Sequence, residues 1–184
     1  ERLEYTKRLF VILSKLLPKD IDGGVSTSPL SYKYWHKTEK DIQNIKLTAS
    51  SQLINITIFL HELHLKTGKI MHLEIEPEPD GLIESVDEFI IFYNDYLIKK
   101  GNKVIEKKLK ITHLEAKKVI QKHIQICFDI CHTSVIFKDP INELNKIKKA
   151  NISVGKIQIS SAISTKNNQN LLLKSKLKKF DEPT

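Results

Sequence analysis

The chain has 184 residues, 40% hydrophobic and 28% charged, with a formal net charge of +8. That is enough apolar mass for one sizeable core, and no run of about 18 apolar residues occurs, which excludes a helical membrane span. The positive charge is carried almost entirely by scattered lysines, with Arg2 and Arg8 the only arginines. Arginine forks and basic stripes interleaved with aromatics are missing, so nucleic-acid binding is not the expectation.

Residues 2–17 place Leu3, Phe10, Leu13, Leu16 and Leu17 at helical spacing, and Pro18 ends the run. With Glu1 first and charges interrupting it, this segment is expected to be a helix within a longer polypeptide rather than a signal peptide. Residues 25–30 read as a short strand stopped by Pro29, followed by a loop carrying Tyr32, Tyr34, Trp35 and His36. Trp35 stands there as a candidate wall of a ligand pocket, with packing under a lid as the alternative.

Residues 38–66 form a long amphipathic helix that Gly68 terminates. Within it, His61 and His64 are three apart, not the four of the zincin signature, and are read as helix surface. Residues 69–79, KIMHLEIEPEP, alternate so that His72, Glu74 and Glu76 share one strand face, with Glu78 just beyond Pro77. Carboxylates on a central strand need neutralising, and a divalent cation, lysine partners and exposure at the rim compete as explanations. Residues 83–99 follow as a helix, with Ser85 and Glu88 as a capping box and Gly101 and Asn102 as its break. Another helix spans 112–123, opened by Thr112 and Glu115 in the same relation.

The apolar run 124–130 fits a strand buried on both faces of a parallel sheet, with Asp129 at its carboxyl end and His132 three residues later. That is a candidate metal or catalytic pair; the alternative makes Asp129 merely the cap of a following helix. The two cysteines, Cys127 and Cys131, fit neither a disulfide framework nor a zinc ribbon, which makes a reducing, cytoplasmic setting the default. A short helix from Asp139-Pro140 to Ala150 precedes the last strand, 152–160, on which Lys156, Gln158 and Ser160 share one face. Residues 168–180 read as a final basic helix.

Four strands, at 25–30, 70–76, 124–130 and 152–160, alternate with helices, which predicts an α/β fold with a parallel sheet. No glycine-rich phosphate loop follows any strand, which argues against dinucleotide and P-loop folds. Polar groups gathered at the carboxyl ends of several strands are the way a (β/α)8 barrel builds its site, and four strands make an incomplete TIM barrel.

The segments LEIEPEPDGLIES, ICFDICHTSVIFKDP and VGKIQISSA, in this order on successive strands, resemble the xylose-isomerase-like TIM-barrel superfamily, which includes sugar epimerases and type IV apurinic endonucleases. Together with ERLEYTKRLFVILSKLLP and GGVSTSPLSYK they are similar to its metabolite-traffic branch, EboE, encoded in the bacterial ebo operon. The resemblance covers nearly the whole chain. It implies that residues 1–184 are a single domain, the central fragment of such a barrel.

The resemblance further implies that Glu76 and Asp129 match the superfamily's divalent-metal carboxylates, and that His132 matches a histidine that binds metal or substrate. Where many relatives place another histidine, this chain has Lys156 and Gln158. A further metal-binding glutamate is expected from the eighth strand. The site expected on this basis has Glu76, Asp129 and His132 around a Zn, Mn or Mg ion, with Glu78 or His132 moving protons. Lys156 would replace a lost positive charge or form a Schiff base, and Gln158, Trp35 and His72 would contact substrate. The expected ligand is a small polyhydroxylated or carbonyl metabolite, and other ebo operon products are candidate partners. Non-catalytic metabolite binding is the rival reading; apurinic-endonuclease-like DNA repair draws only on superfamily membership and the lysines.

Overall fold

A computed structural model describes residues 1–162 together with 175, 177 and 178; most of the helix expected at 168–180 lies outside the described residues. The chain opens with α1 (Arg2–Leu16), then β1 (Gly23–Thr27), a short 3-10 turn (Lys33–Trp35) and the long helix α2 (Glu39–Thr67). Next come β2 (Met71–Ile75) and a three-part helix: α3 (Val86–Phe92), a π-helical segment (Tyr93–Gly101) and α4 (Asn102–Leu109). After that lie α5 (His113–His123), β3 (Ile124–Asp129), α6 (Ile130–Val135), α7 (Pro140–Lys149) and β4 (Val154–Gln158). No described helix is long and apolar enough to cross a membrane.

Local sequence chemistry explains the helix ends. Thr38 and Asp41 form a reciprocal capping box at the start of α2, and Gly68 ends it in the left-handed conformation at φ 71°. Thr112 and Glu115 repeat the box at α5. At α3 only half of the expected box forms. Ser85 Oγ accepts from the Glu88 amide, but the Glu88 carboxylate accepts from Glu84 N instead of Ser85 N.

The expected break at Gly101 and Asn102 does not occur: both residues are helical, and the chain turns only at Lys110, in the left-handed region at φ 56°. Gly101 is needed for closeness rather than flexibility, since a Cβ there would collide with the Ile54 side chain of α2. Asn102 is buried, and its Nδ2 donates to the carbonyl of His113 at 3.1 Å. The π-helical segment ends on Gly101 and buries Tyr93 and Leu97.

The four strands lie side by side in sequence order β1-β2-β3-β4, all parallel. β1 starts two residues ahead of the expected 25–30 and, like β2, stops short of a proline that has no N–H to donate; β3 ends where Asp129 turns into α6, and β4 is trimmed at both ends. The sheet is curled into a half-barrel. Lys156 on β4 donates to Ser26 on β1 at 3.2 Å although two strands lie between them. A flat sheet with strands about 4.8 Å apart does not permit that reach.

Alternation divides the sheet. Met71, Leu73 and Ile75 of β2 and Ile124, Ile126 and Phe128 of β3 face the helices and belong to the main core, with Phe10, Leu60, Phe89 and Leu97. Burial of this apolar face, at roughly 25 cal/mol per Å², is the main stabilising term. The inner face is polar. A register shift between Ile126 and Cys127 accommodates one extra residue, Gly155, so that Lys156 pairs with Cys127 and Gln158 with Asp129.

Candidate functional site

Two polar layers line the inner face. The deeper one joins His72 and Glu74 of β2 with Ser26 of β1 and Lys156 of β4. Glu74 Oε2 accepts from Ser26 Oγ at 2.7 Å, and Oε1 lies 3.2 Å from His72 Nδ1. Burial raises the Glu74 pKa, but the hydrogen bonds from His72 and Ser26 and the charges of His72 and Lys156 outweigh it and leave it below the usual carboxylate value. Two glycines make room for this buried pair. A Cβ on Gly24 would stand 2.7 Å from His72 Cε1, and one on Gly155 would stand 2.8 Å from Glu74 Cγ. Protein groups, with Lys156 among them, therefore neutralise Glu74, and no cation is needed there.

The second layer sits at the carboxyl edge. Asp129 ends β3 and caps α6: its Oδ1 accepts from the backbone N–H of Cys131 at 2.7 Å and of His132 at 3.3 Å. Ser160 Oγ donates to the same oxygen at 2.6 Å, and Gln158 Nε2 donates to Oδ2 at 2.5 Å. Burial again raises the pKa, and the bonds from Ser160, Gln158 and the His132 amide, with the His132 charge, bring it below the usual aspartate value. Asp129 is thus the cap of α6 through Oδ1, while its Oδ2 faces Gln158.

Glu76 follows β2, with its N–H bonded to Thr27 O at 3.2 Å. Its Oε1 accepts from the same Gln158 Nε2 at 2.9 Å, so one amide group spans both carboxylates. Because two acceptors face that atom, the hydrogen-bond network assigns it as nitrogen. His132 Nδ1 lies 3.2 Å from Pro77 O and 3.4 Å from Glu76 Oε1. Two acceptors around Nδ1 place a ring proton there.

One donor atom each from Glu76, Asp129 and His132 lies within 4.8 Å of the other two, the one such group of three found among the described residues. The donor set, two carboxylates and an imidazole, fits a divalent cation. A cavity of about 20 Å³ bordered by Asp129, His132, Cys127, Phe128 and the buried Glu143 has room for one water. The larger cleft, about 280 Å³ between α1 and α2, is lined by Arg2, Thr6, Gln52, Leu53 and Leu73, on the other side of the sheet from these groups.

The structure brings together four of the residues singled out from sequence, Glu76, Asp129, His132 and Gln158, and places the others around them. Lys156 is exposed and lies one layer deeper, bonded to Ser26. His72 shares the face but sits four residues before Glu76, about 13 Å down the strand, where it pairs with Glu74. Glu78 belongs to the turn closed by Gly81 N to Glu78 O at 3.0 Å, and its backbone N–H donates to Ile83 O at 3.1 Å. Trp35 is 74% exposed and packs edge-on against Tyr32. Ser26 carried no comparable mark in the sequence; its only signal is its alternate position between Gly24 and Ser28.

Fold and site define an α/β protein whose curled, all-parallel four-stranded sheet carries a carboxylate and imidazole cluster at its carboxyl edge. Comparison with family models, curated proteins and solved structures finds no match.

Proposed function

We propose that the chain is an EboE-like member of the xylose-isomerase-like TIM-barrel superfamily that acts on a small polyhydroxylated or carbonyl-bearing metabolite at the carboxyl edge of its sheet. The observation that supports this is the approach of Glu76, Asp129 and His132, from the ends of two neighbouring strands, to within 4.8 Å. A divalent ion bound there would supply Lewis acidity toward a carbonyl or hydroxyl oxygen. The chain's own groups divide the rest. Asp129 is held ionised by its four donors, and Glu76 stands beside it as ligand or base, with one of its oxygens engaged by Gln158. His132 presents Nε2 as proton acceptor, and Glu78 stands in the adjoining turn as the second candidate for proton transfer. Lys156 adds positive charge from the layer below.

Elemental analysis of the protein purified without chelators tests this reading. One divalent ion per chain is expected, lost in Glu76→Gln and Asp129→Asn, together with turnover of simple ketoses or aldoses by the wild type. Absence of the ion from the wild type rejects the metal-assisted version. The bridging amide of Gln158 favours a second reading, a metabolite-binding protein without turnover, because it already ties the two carboxylates together. Saturable sugar binding with no conversion is the outcome that reading expects.

A further inference from the structure

At the amino edge of the sheet, opposite the carboxylate cluster, three histidines meet. His123 closes α5 and is fully buried, and the rings of His61 and His64 from α2 pack on it with centroids 6.1 and 6.3 Å away. His123 Nδ1 donates to Met71 O at 2.7 Å, and His64 Nδ1 lies 3.2 Å from Lys69 O. In this tautomer each of those rings keeps a bare Nε2, the arrangement that backbone carbonyls impose on metal-binding histidines. His123 Nε2 and His61 Nδ1 are both buried without a hydrogen-bond partner, two of only four such side-chain atoms among the described residues. Unpartnered buried imidazole nitrogens are costly, and two on neighbouring rings call for a shared partner.

We infer that His61, His64 and His123 form a binding site for one borderline transition-metal ion, such as Zn2+ or Ni2+. All-imidazole donors select that class over Mg2+ or Ca2+. The donor atoms stand wider apart than a coordinated set, and closing on an ion takes a rotation of His61 and His64, in which His64 gives up its contact with Lys69 O for the ion. Burial, followed by the neighbouring charges of His61, Lys122 and His64, pushes the His123 imidazole down to about 4 despite its bond to Met71. Lys122 and Glu62 flank the cluster with opposite charges.

Zn2+ titration against a chromophoric chelator tests the site, using a Glu76→Gln/Asp129→Asn double variant so that the carboxyl-edge cluster does not contribute. One equivalent of Zn2+ is expected to bind. Adding His61→Asn and His64→Asn, both on the partly exposed side of α2, is expected to weaken it more than about tenfold while the circular dichroism spectrum is kept. In the first variant the His123 Nε2 resonance in an imidazole 15N spectrum should move on Zn2+ addition. No bound Zn2+, equal affinity after the His61 and His64 changes, or a stationary His123 Nε2 signal each overturns the inference.

Discussion

Acidification reads the interior of this protein through His123. Burial, opposed only by the hydrogen bond to Met71 O and reinforced by His61, Lys122 and His64, lowers its pKa from 6.5 to about 4. The unfolded chain therefore takes up a proton at a pH where the folded one does not. Stability is complete above pH 6.5 and falls as the pH drops toward 4. Each unit within that window costs about 1.4 kcal/mol, so reaching pH 4.5 removes about 3 kcal/mol, a large share of the roughly 5–15 kcal/mol of an ordinary domain. His61, lowered by burial and by the charges of His64 and Lys122, acts in the same direction, and Glu62 acts against it. Asp129 and Glu74 lie below 3.8 and 4.5, so they contribute only at lower pH. Urea unfolding at half-unit steps from pH 7 to 5, with an NMR titration of His123, measures the effect, and His123→Gln should flatten the slope by about one proton. A His123 titration near 6.5, or a urea midpoint constant between pH 6.5 and 5, would refute the reasoning.

Gly24→Ala should destabilise the fold by about 1–3 kcal/mol, because the new methyl meets the buried His72 ring and Glu74 carboxyl group; an unchanged urea midpoint contradicts this. Ser160→Ala removes a donor from Asp129 Oδ1 and should raise the Asp129 pKa, costing about 1 kcal/mol or less at neutral pH. That loss should vanish as the pH falls through the depressed Asp129 value, as followed by carboxyl 13C shifts. The Cys127 thiol is fully buried and pushed up to about 12, mainly by desolvation and then by Glu76. In the native protein only Cys131 should react quickly with an aromatic disulfide reagent at pH 8, and two fast thiols would show the inner face to be open.

Period and punctuation carried most of the fold. The alternation of Met71 to Glu76 and the apolar run from Ile124 gave strands whose faces the structure reproduces, and Gly68 and the Thr112–Glu115 pair marked helix ends, whereas the Thr38–Asp41 box was not read. The break expected at Gly101 failed because glycine served tertiary closeness to Ile54, which no local rule registers. Helix α6 was visible only as the alternative role of Asp129, its six residues being too short to show a period. At the site, strand alternation grouped Glu76 with His72 and Glu74, and Gln158 with Lys156 and Ser160, and Asp129 stood out as a strand end, but the bridging of two carboxylates by one amide depends on the register shift at Gly155. His61 and His64, read as helix surface, pack instead on the buried His123 at the end of α5, a contact only the fold reveals.

The two inner layers differ in charge balance, and this marks out the edge. In the deeper layer Glu74 is matched by His72, Ser26 and Lys156, so its charge has partners on three strands. At the edge, Asp129 and Glu76 carry two negative charges close together, joined by a neutral amide and bordered by an imidazole. Two carboxylates held at that distance repel in a medium less polar than water, and an uncharged bridge reduces the cost only through its dipoles. The lower layer is therefore balanced in charge, whereas the upper one gains from any positive charge or strong hydrogen-bond donor that reaches it. A divalent ion and the hydroxyl groups of a sugar both meet that demand. Which of the two the edge would accept turns on whether Gln158 keeps its amide nitrogen between the carboxylates or turns its oxygen toward an ion.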